Sequence, residues 1–163
     1  TEFGKALVAK TAVVISGVHD VLRPDVNNVN DPSISAVVTH VGADCFVRAA
    51  YVGTGFTHRI ALLDSAGHVV TNRDMVSVGA VAGPLCFAGD NIVTKTLLPA
   101  PVIGDYIMIM DAGANTLSIY SRHCSRPALG VFVYTRTAAG DMKMECVKSV
   151  EGAWDIVQFW GRS

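Results

Sequence analysis

The chain has 163 residues, of which 50% are hydrophobic, and 13 Lys and Arg against 14 Asp and Glu give a formal net charge of −1. This composition supports a buried core, excludes a disordered chain and lacks the basic excess of a nucleic-acid-binding protein. No apolar run reaches the roughly 18 residues that a membrane span needs, and no secretory signal follows Thr1. We therefore expect a cytoplasmic protein, with an organelle as the alternative. Since there is no initiator Met, we expect the true start to lie upstream.

Short strands separated by turn residues dominate the pattern along the chain. Alternating or continuous runs of β-branched and apolar residues are typical of strands, and Gly, Pro, Asn and Asp interrupt them about every ten residues. Residues 35–40 with 45–52, and 58–63 with 68–71, are expected to pair. Strands are predicted at residues 12–18, 35–40, 45–52, 58–63, 68–71, 75–81, 90–96, 106–110, 117–120, 131–135 and 142–148.

Helical signal is scarce. Residues 4–10 fit a short helix, and residues 151–160 have an apolar spacing of i, i+3, i+4 and i+7 that favours a short amphipathic helix, with a strand as the alternative. Many short strands with little helix indicate an all-β Greek-key barrel or sandwich with one or two short helices. The apolar positions of the C-terminal segment are Ala153, Trp154, Val157 and Trp160.

The cysteines and histidines have no metal-binding spacing. The four cysteines (Cys45, Cys86, Cys124 and Cys146) contain no C-x-x-C pair, and the five histidines have no i, i+4 pair. Both observations argue against a metal site. We expect mostly buried, free thiols from a reducing compartment, with two disulfides as the alternative.

Three polar or glycine-rich loops are candidates for a functional site. Residues 83–90 (GPLCFAGD) place a thiol and a carboxylate in one turn, where loops on a sheet often carry function. The alternative is a tight crossover with a buried Cys and an Asp bonded to its own backbone. The small residues of 111–115 allow close backbone approach. The arginines of 121–127 suit either anion binding or solubility. These residues alone name no reaction.

The same loops resemble one family when they are taken in order. Residues 83–90 resemble the GPxC-x3-D loop of the fold-type III pyridoxal-phosphate decarboxylases, which include the diaminopimelate, ornithine and arginine enzymes. Residues 104–114 resemble the family's GD…DxGAY segment, 121–127 its S…NSRP loop, and 1–5 (TEFGK) lie where it has E-P-G-R. The chain is most similar to the diaminopimelate-decarboxylase-like branch.

The resemblance implies a two-domain enzyme. An N-terminal (β/α)8 barrel would hold the Schiff-base lysine and the glycine-rich phosphate loop upstream of Thr1. Residues 1–10 would be the last barrel motif with its connection, and 11–163 the C-terminal β-domain. The family works as a head-to-tail homodimer in which each β-domain completes the partner's active site. The full-length protein would be an amino-acid carboxy-lyase of lysine biosynthesis, and this fragment alone would be inactive.

The resemblance also implies cofactor and catalytic residues. Glu2 would face the pyridine nitrogen of pyridoxal 5′-phosphate, and Gly4 and Lys5 would approach its phosphate. Asn115 stands where the family has a phosphate-contacting tyrosine. Cys86 would be the catalytic proton donor in the active site of the opposite protomer.

Three further residues would bind the amino-acid substrate. Arg48 resembles an arginine that binds a substrate carboxylate, Phe87 stands where the family has an acidic residue that reads the distal end of the substrate, and Asp90 lies in the same loop. An apolar Phe87 cannot pair with a distal ammonium. Either specificity has moved, or the protein is an inactive homologue that regulates an intact decarboxylase. A free-standing β-sandwich binding module is a third hypothesis.

Overall fold

A computed structural model describes residues 4–24, 31–51 and 57–161. Glu2 lies outside the described residues, so its predicted contact with the cofactor nitrogen stays a prediction. The chain forms two compact units, residues 1–121 and 122–163.

The first unit is built on a six-stranded sheet with the order β3-β6-β1-β2-β4-β5. Neighbouring strands are antiparallel except β2 and β4, which are parallel. The two edge strands, β3 and β5, also contact each other, so the sheet is nearly closed into a barrel. The predicted all-β barrel-like fold with few short helices is confirmed. The strands are β1 (Val14–Leu22), β2 (Ile34–Thr39), β3 (Ile60–Leu63), β4 (Met75–Ala82), β5 (Asn91–Pro99) and β6 (Tyr106–Ile109).

The core follows from alternation along these strands. In β4, Val76 and Val78 are buried while Met75 and Ser77 are exposed, because successive side chains of a strand point to opposite faces. Burying one such apolar side chain contributes about 1.5–3 kcal/mol. The largest apolar side chains that are at most 2% exposed belong to Val37, Val41, Phe46, Leu62, Val78, Val81, Ile92, Ile107 and Ile109.

The predicted strand at 45–52 is wrong, because the structure has helix α2 (Val47–Tyr51) there. The amides of Cys45 and Phe46 both bond to the carbonyl of Gly42, at 3.0 and 2.9 Å, and this tight turn leads directly into the helix. The expected partner strand, β2, already has β1 on one edge and β4 on the other. No edge of β2 was left to receive this segment.

Two shorter predicted strands, at residues 117–120 and 68–71, are not strands in the structure. Residues 117–120 form a turn in which the amide of Tyr120 bonds to the carbonyl of Leu117 at 3.3 Å. Residues 68–71 pair with β3 as predicted, through an antiparallel bridge between Leu63 and Val69 and a hydrogen bond from the amide of Val70 to the carbonyl of Leu62 at 3.0 Å, but they are too short to form a strand of their own. At the N-terminus the predicted helix is confirmed as α1 (Gly4–Val8), followed by one 3-10 turn.

The second unit contains a hairpin and a helix. The two predicted strands are confirmed as β7 (Val131–Arg136) and β8 (Met142–Lys148), which pair antiparallel. Gly140 allows the connecting turn, since its φ of 92° lies in the left-handed region. Helix α3 (Ala153–Trp160) confirms the predicted C-terminal helix. Among the described residues, no helix is both long and apolar enough to cross a bilayer.

The four cysteines lie within the described residues and none of them forms a disulfide, but the expectation that most are buried is wrong. Cys45 is buried within the first unit, whereas the other three are exposed. Cys86 and Cys124 lie on loops, and Cys146 lies on the open hairpin. A small apolar side chain is buried only where other elements cover it.

Candidate functional site

Asp90 holds the loop of residues 83–90 in one conformation. Its carboxylate is 4% exposed and accepts hydrogen bonds from the backbone amides of Ala43, at 2.5 Å, and Leu85, at 2.7 Å. The amide of Gly83 also donates to the carbonyl of Asp90, at 2.9 Å. A buried carboxylate needs such donors, since an unpaired buried charge is costly. The predicted contact of Asp90 with substrate stays a prediction; the structure gives it a loop-positioning role.

Two glycines allow the neighbouring loop to reach this carboxylate. A Cβ placed on Gly42 or on Gly83 would overlap the carboxylate of Asp90. On the other side of the turn, Asp44 is 1% exposed and accepts hydrogen bonds from the amides of Gly42 and Cys45, at 3.0 and 3.1 Å. Both loops are therefore fixed by buried carboxylates before any ligand binds.

The fixed loop presents Cys86 at the surface and turns Phe87 toward α2. Cys86 is exposed, so the alternative of a buried crossover cysteine is wrong. The rings of Phe87 and Tyr51 stack, with centroids 4.9 Å apart and planes 10° from parallel. Arg48 is exposed and lies three residues before Tyr51 on α2. The structure thus packs the predicted residue Phe87, which follows Cys86 in the loop, against Tyr51 of the helix that also carries Arg48.

A second cluster forms where α1 meets residues 111–115. The amide of Gly113 donates to the carbonyl of Ala9 at 2.9 Å. A Cβ on Gly113 would overlap the carbonyl of Val8, so this close approach requires glycine. The tight contact holds the segment that carries Gly4 and Lys5 against the loop that carries Asn115.

Asn115 and Lys5 supply the donors of this cluster. Asn115 is exposed and has a φ of 56°, a left-handed conformation that Asn tolerates better than most residues. Lys5 is partly exposed, and Gly4 has open space around it. An ammonium and a side-chain amide can both donate to a phosphate group. Their predicted contacts with a cofactor phosphate stay predictions.

His58 connects the two clusters and was not singled out from the sequence. Its Nδ1 lies 2.8 Å from the carbonyl of Met110, and its ring packs edge-on against Phe46, with centroids 4.8 Å apart. Burial lowers the pKa of His58, and the charge of Lys5 lowers it further. The imidazole of His58 is therefore neutral. It contacts Met110, at the start of the second cluster, and Phe46, the residue before α2. Nothing in the local sequence around His58 marks this role.

In the loop of residues 121–127, Arg122 is engaged by other residues of the second unit. Within the second unit, Arg122 makes two hydrogen bonds to the carboxylate of Glu151, at 2.7 and 2.9 Å, and its guanidinium lies 4.2 Å from the ring centroid of Phe159. A guanidinium held in this way stabilises the fold. The structure thus gives Arg122 a structural role in place of the anion-binding alternative.

Comparison with known proteins identifies the family. A model described as the C-terminal sheet domain of pyridoxal-dependent decarboxylases matches residues 8–113. The chain belongs to this family. The match includes Arg48, Cys86, Phe87 and Asp90, and it leaves Gly4, Lys5 and Asn115 just outside.

Curated relatives agree with this assignment. Diaminopimelate decarboxylase of Escherichia coli K12 is 32% identical over 136 residues, which cover 78% of this chain and 30% of that enzyme. The Archaeoglobus fulgidus enzyme is 26% identical over 157 residues, which cover 96% of this chain and 33% of the enzyme. The chain therefore spans about a third of the length of the curated relatives it matches.

Solved structures share the fold. A crystal structure of diaminopimelate decarboxylase superposes with a TM-score of 0.80 at 26% identity, covering 96% of this chain and 35% of that one. The Helicobacter pylori enzyme, complexed with L-lysine, has a TM-score of 0.75 at 21% identity and covers 96% of this chain and 33% of its own. The chain is the C-terminal domain of a diaminopimelate-decarboxylase-like protein.

Proposed function

We propose that the full-length protein is a pyridoxal-phosphate-dependent amino-acid decarboxylase, to which this chain contributes Cys86 as a proton donor. The observation that carries the proposal is an exposed thiol on a loop held rigid by the buried carboxylate of Asp90. A general acid must be held at a fixed position and still be reachable by substrate. Both conditions are met at Cys86.

The donors of the second cluster fit the cofactor. Lys5 and Asn115 offer an ammonium and an amide, and the Gly113 contact holds their segments together. We propose that these two side chains and the backbone at Gly4 bind the phosphate of pyridoxal phosphate. When bound, that cofactor supplies the electron sink that takes up the negative charge left by departing CO2.

The rest of the active site would come from other parts of the protein. We propose an N-terminal barrel with the Schiff-base lysine and a homodimer in which Cys86 enters the partner's site. Exposure of Cys86 supports this arrangement, because a thiol on the surface of its own chain is available to a second one. We propose a cytoplasmic location, supported by four cysteines that form no disulfide.

The test is Cys86→Ala in the full-length protein. We expect kcat for CO2 release to fall by about 10²–10⁴-fold, the range for loss of a general acid, or the product to change. Cofactor absorbance should be retained, since Cys86 lies in the cluster that does not bind the phosphate. CO2 release and absorbance are measured on the same samples.

Cys146→Ala is the matched control, because Cys146 is also an exposed thiol but lies on β8 of the second unit. It should leave both measurements unchanged. Wild-type kinetics and products for Cys86→Ala would remove this residue from the mechanism. A full-length protein that releases no CO2 from any amino acid would favour the regulatory homologue.

A further inference from the structure

Strand β6 leads directly into the loop of residues 111–115, and the start of this loop is held from two sides. On one side, the amides of Ala112 and Gly113 donate to the carbonyls of Ala12 and Ala9, at 3.0 and 2.9 Å. These hydrogen bonds join backbone groups and use no side chain. On the other side, the loop is held by the side chains of the two residues that precede β3.

His58 is the first of these two residues. It is 9% exposed, and its Nδ1 lies 2.8 Å from the carbonyl oxygen of Met110. Because a carbonyl oxygen can only accept a hydrogen bond, Nδ1 carries the hydrogen and donates it. The edge-on contact with Phe46, at 4.8 Å between ring centroids, fixes the orientation of the imidazole. His58 therefore holds the carbonyl of Met110 in a defined direction where β6 ends.

Arg59 is the second residue that holds the loop. Its carbonyl accepts a hydrogen bond from the amide of Met110 at 2.8 Å, and its guanidinium donates to both carboxylate oxygens of Asp111, at 2.8 and 2.9 Å. Asp111 has a φ of 59°, in the left-handed region that few residues other than glycine adopt. A bidentate pair of this kind fixes direction as well as distance. Arg59 therefore holds Asp111 in the conformation that starts the loop.

The same loop carries Asn115, one of the proposed ligands of the cofactor phosphate. Asn115 lies two residues after Gly113, which is bonded to Ala9, and directly before Thr116, which is 5% exposed. The other proposed side-chain ligand, Lys5, is close enough to His58 for its charge to lower the pKa of the imidazole. Donors that are ordered beforehand bind a ligand more tightly, because binding does not then require them to be immobilised.

We infer that His58 and Arg59 are positioning residues for the cofactor phosphate, which hold the end of β6 so that Asn115 has its phosphate-binding geometry before the cofactor arrives. This role rests on the proposed decarboxylase function and specifies how the phosphate site of that enzyme is ordered. Both side chains act through Met110 and Asp111 and not by contact with the phosphate. Their removal should weaken binding of the phosphate group and leave binding of the pyridoxal ring unchanged.

The experiment compares pyridoxal phosphate with pyridoxal, which lacks only the phosphate group. Equilibrium dialysis against the full-length apoprotein gives a dissociation constant for each compound, and the ratio of the two measures the contribution of the phosphate. His58→Phe keeps a ring against Phe46 and removes the donor to Met110, so the preference for pyridoxal phosphate should fall by about two- to tenfold, the value of one hydrogen bond. Arg59→Met should reduce it by about two- to fivefold, since this guanidinium is 64% exposed.

Three further variants separate positioning from damage to the fold. His58→Gln keeps a donor for the carbonyl of Met110 and should hold the ratio within about twofold of wild type. Arg59→Lys keeps the positive charge but loses the planar fork, so its ratio should lie between those of wild type and Arg59→Met. His19→Phe is the matched control, because it makes the same change at an exposed position of β1. It should leave the ratio unchanged.

CO2 release measured on the same proteins separates the positioning role from the function on which it rests. An unchanged ratio in both His58→Phe and Arg59→Met overturns the positioning role, while CO2 release by the wild type keeps the decarboxylase function. If His58→Phe weakens both compounds equally, the ratio for Arg59→Met decides, and a fall supports the role. The expected shifts in a protein that releases no CO2 support the role and contradict the function. A wild type that binds neither compound overturns both.

Discussion

Strand β4 and the β7–β8 hairpin use the same alternating pattern and differ in what covers it. In β4, Val76 and Val78 are 6% and 0% exposed. On one face of the hairpin the apolar side chains are 57–72% exposed. That face, given by the strand register, carries Phe132, Tyr134, Met142 and Met144.

Whether the apolar side chains of a strand are buried depends on how many neighbouring strands and layers cover them. Strand β4 lies between β2 and β5 in a nearly closed six-stranded sheet, whose inner side chains fill the core. The hairpin is a sheet of two strands, and no third strand of the described residues lies beside it. A two-stranded hairpin is marginally stable by itself, so the second unit depends on specific polar contacts such as the pair between Arg122 and Glu151.

The largest expected effect tests this contrast directly. Ile107→Ala removes a side chain that is 0% exposed in β6, and it should lower the free energy of unfolding of the chain by about 2–5 kcal/mol. Met144→Ala is the matched control, since Met144 is 72% exposed in β8. It should cost less than about 0.5 kcal/mol. Urea denaturation measures both, and equal losses would break the comparison.

A smaller loss of stability is expected when the carboxylate of Glu151 in the second unit is replaced. Glu151→Gln leaves one neutral acceptor for Arg122 and the amide of Ala128, which now donate at 2.7–2.9 Å. We expect hydrogen-exchange protection of β7 and β8 to fall by about 1–3 kcal/mol. Glu145→Gln, with a side chain 67% exposed, should change it by less than about 0.5 kcal/mol.

The same pair predicts how the second unit responds to acid. Hydrogen bonds from Arg122 and Ala128 lower the pKa of Glu151 from 4.5 to about 2. Because the folded state binds this proton more weakly than the unfolded state, its stabilisation is complete above pH 4.5 and is lost as the pH falls toward 2. Glu151→Gln should flatten the pH profile of protection in this window. An unchanged profile would assign the acid response to other groups.

The smallest expected effect concerns His58 in the first unit. Burial lowers its pKa, so the unfolded state binds a proton more readily, and stability should fall as the pH drops below the ordinary value of about 6.5. His58→Gln keeps a donor for the Met110 carbonyl and should make this decline shallower. Thermal midpoints at pH 7.5 and 5.5 measure it. His19→Gln, at an exposed position of β1, is the matched control.

Part of the candidate site could be predicted from the sequence. The loop of residues 83–90 was found from its residues and from its resemblance to the decarboxylase family, and Arg48 from that resemblance alone. The stacking of Tyr51 on Phe87 and the packing of His58 could not be found in this way. Each joins residues that are far apart in sequence and have no local pattern in common.

The elements that could be predicted from the sequence are those marked by a pattern within the element itself. Alternating apolar residues specified most strands, Gly140 the β7–β8 turn, and the i, i+3, i+4, i+7 spacing specified α3. The helix at residues 47–51 and the exposure of Cys86 depend on tertiary contacts and could not be predicted from local sequence. The bond from the amide of Ala43 to Asp90 joins residues 47 positions apart, and such contacts form only when the sheet brings their loops together. Local sequence therefore fixed the strands, and contacts between distant loops fixed the site.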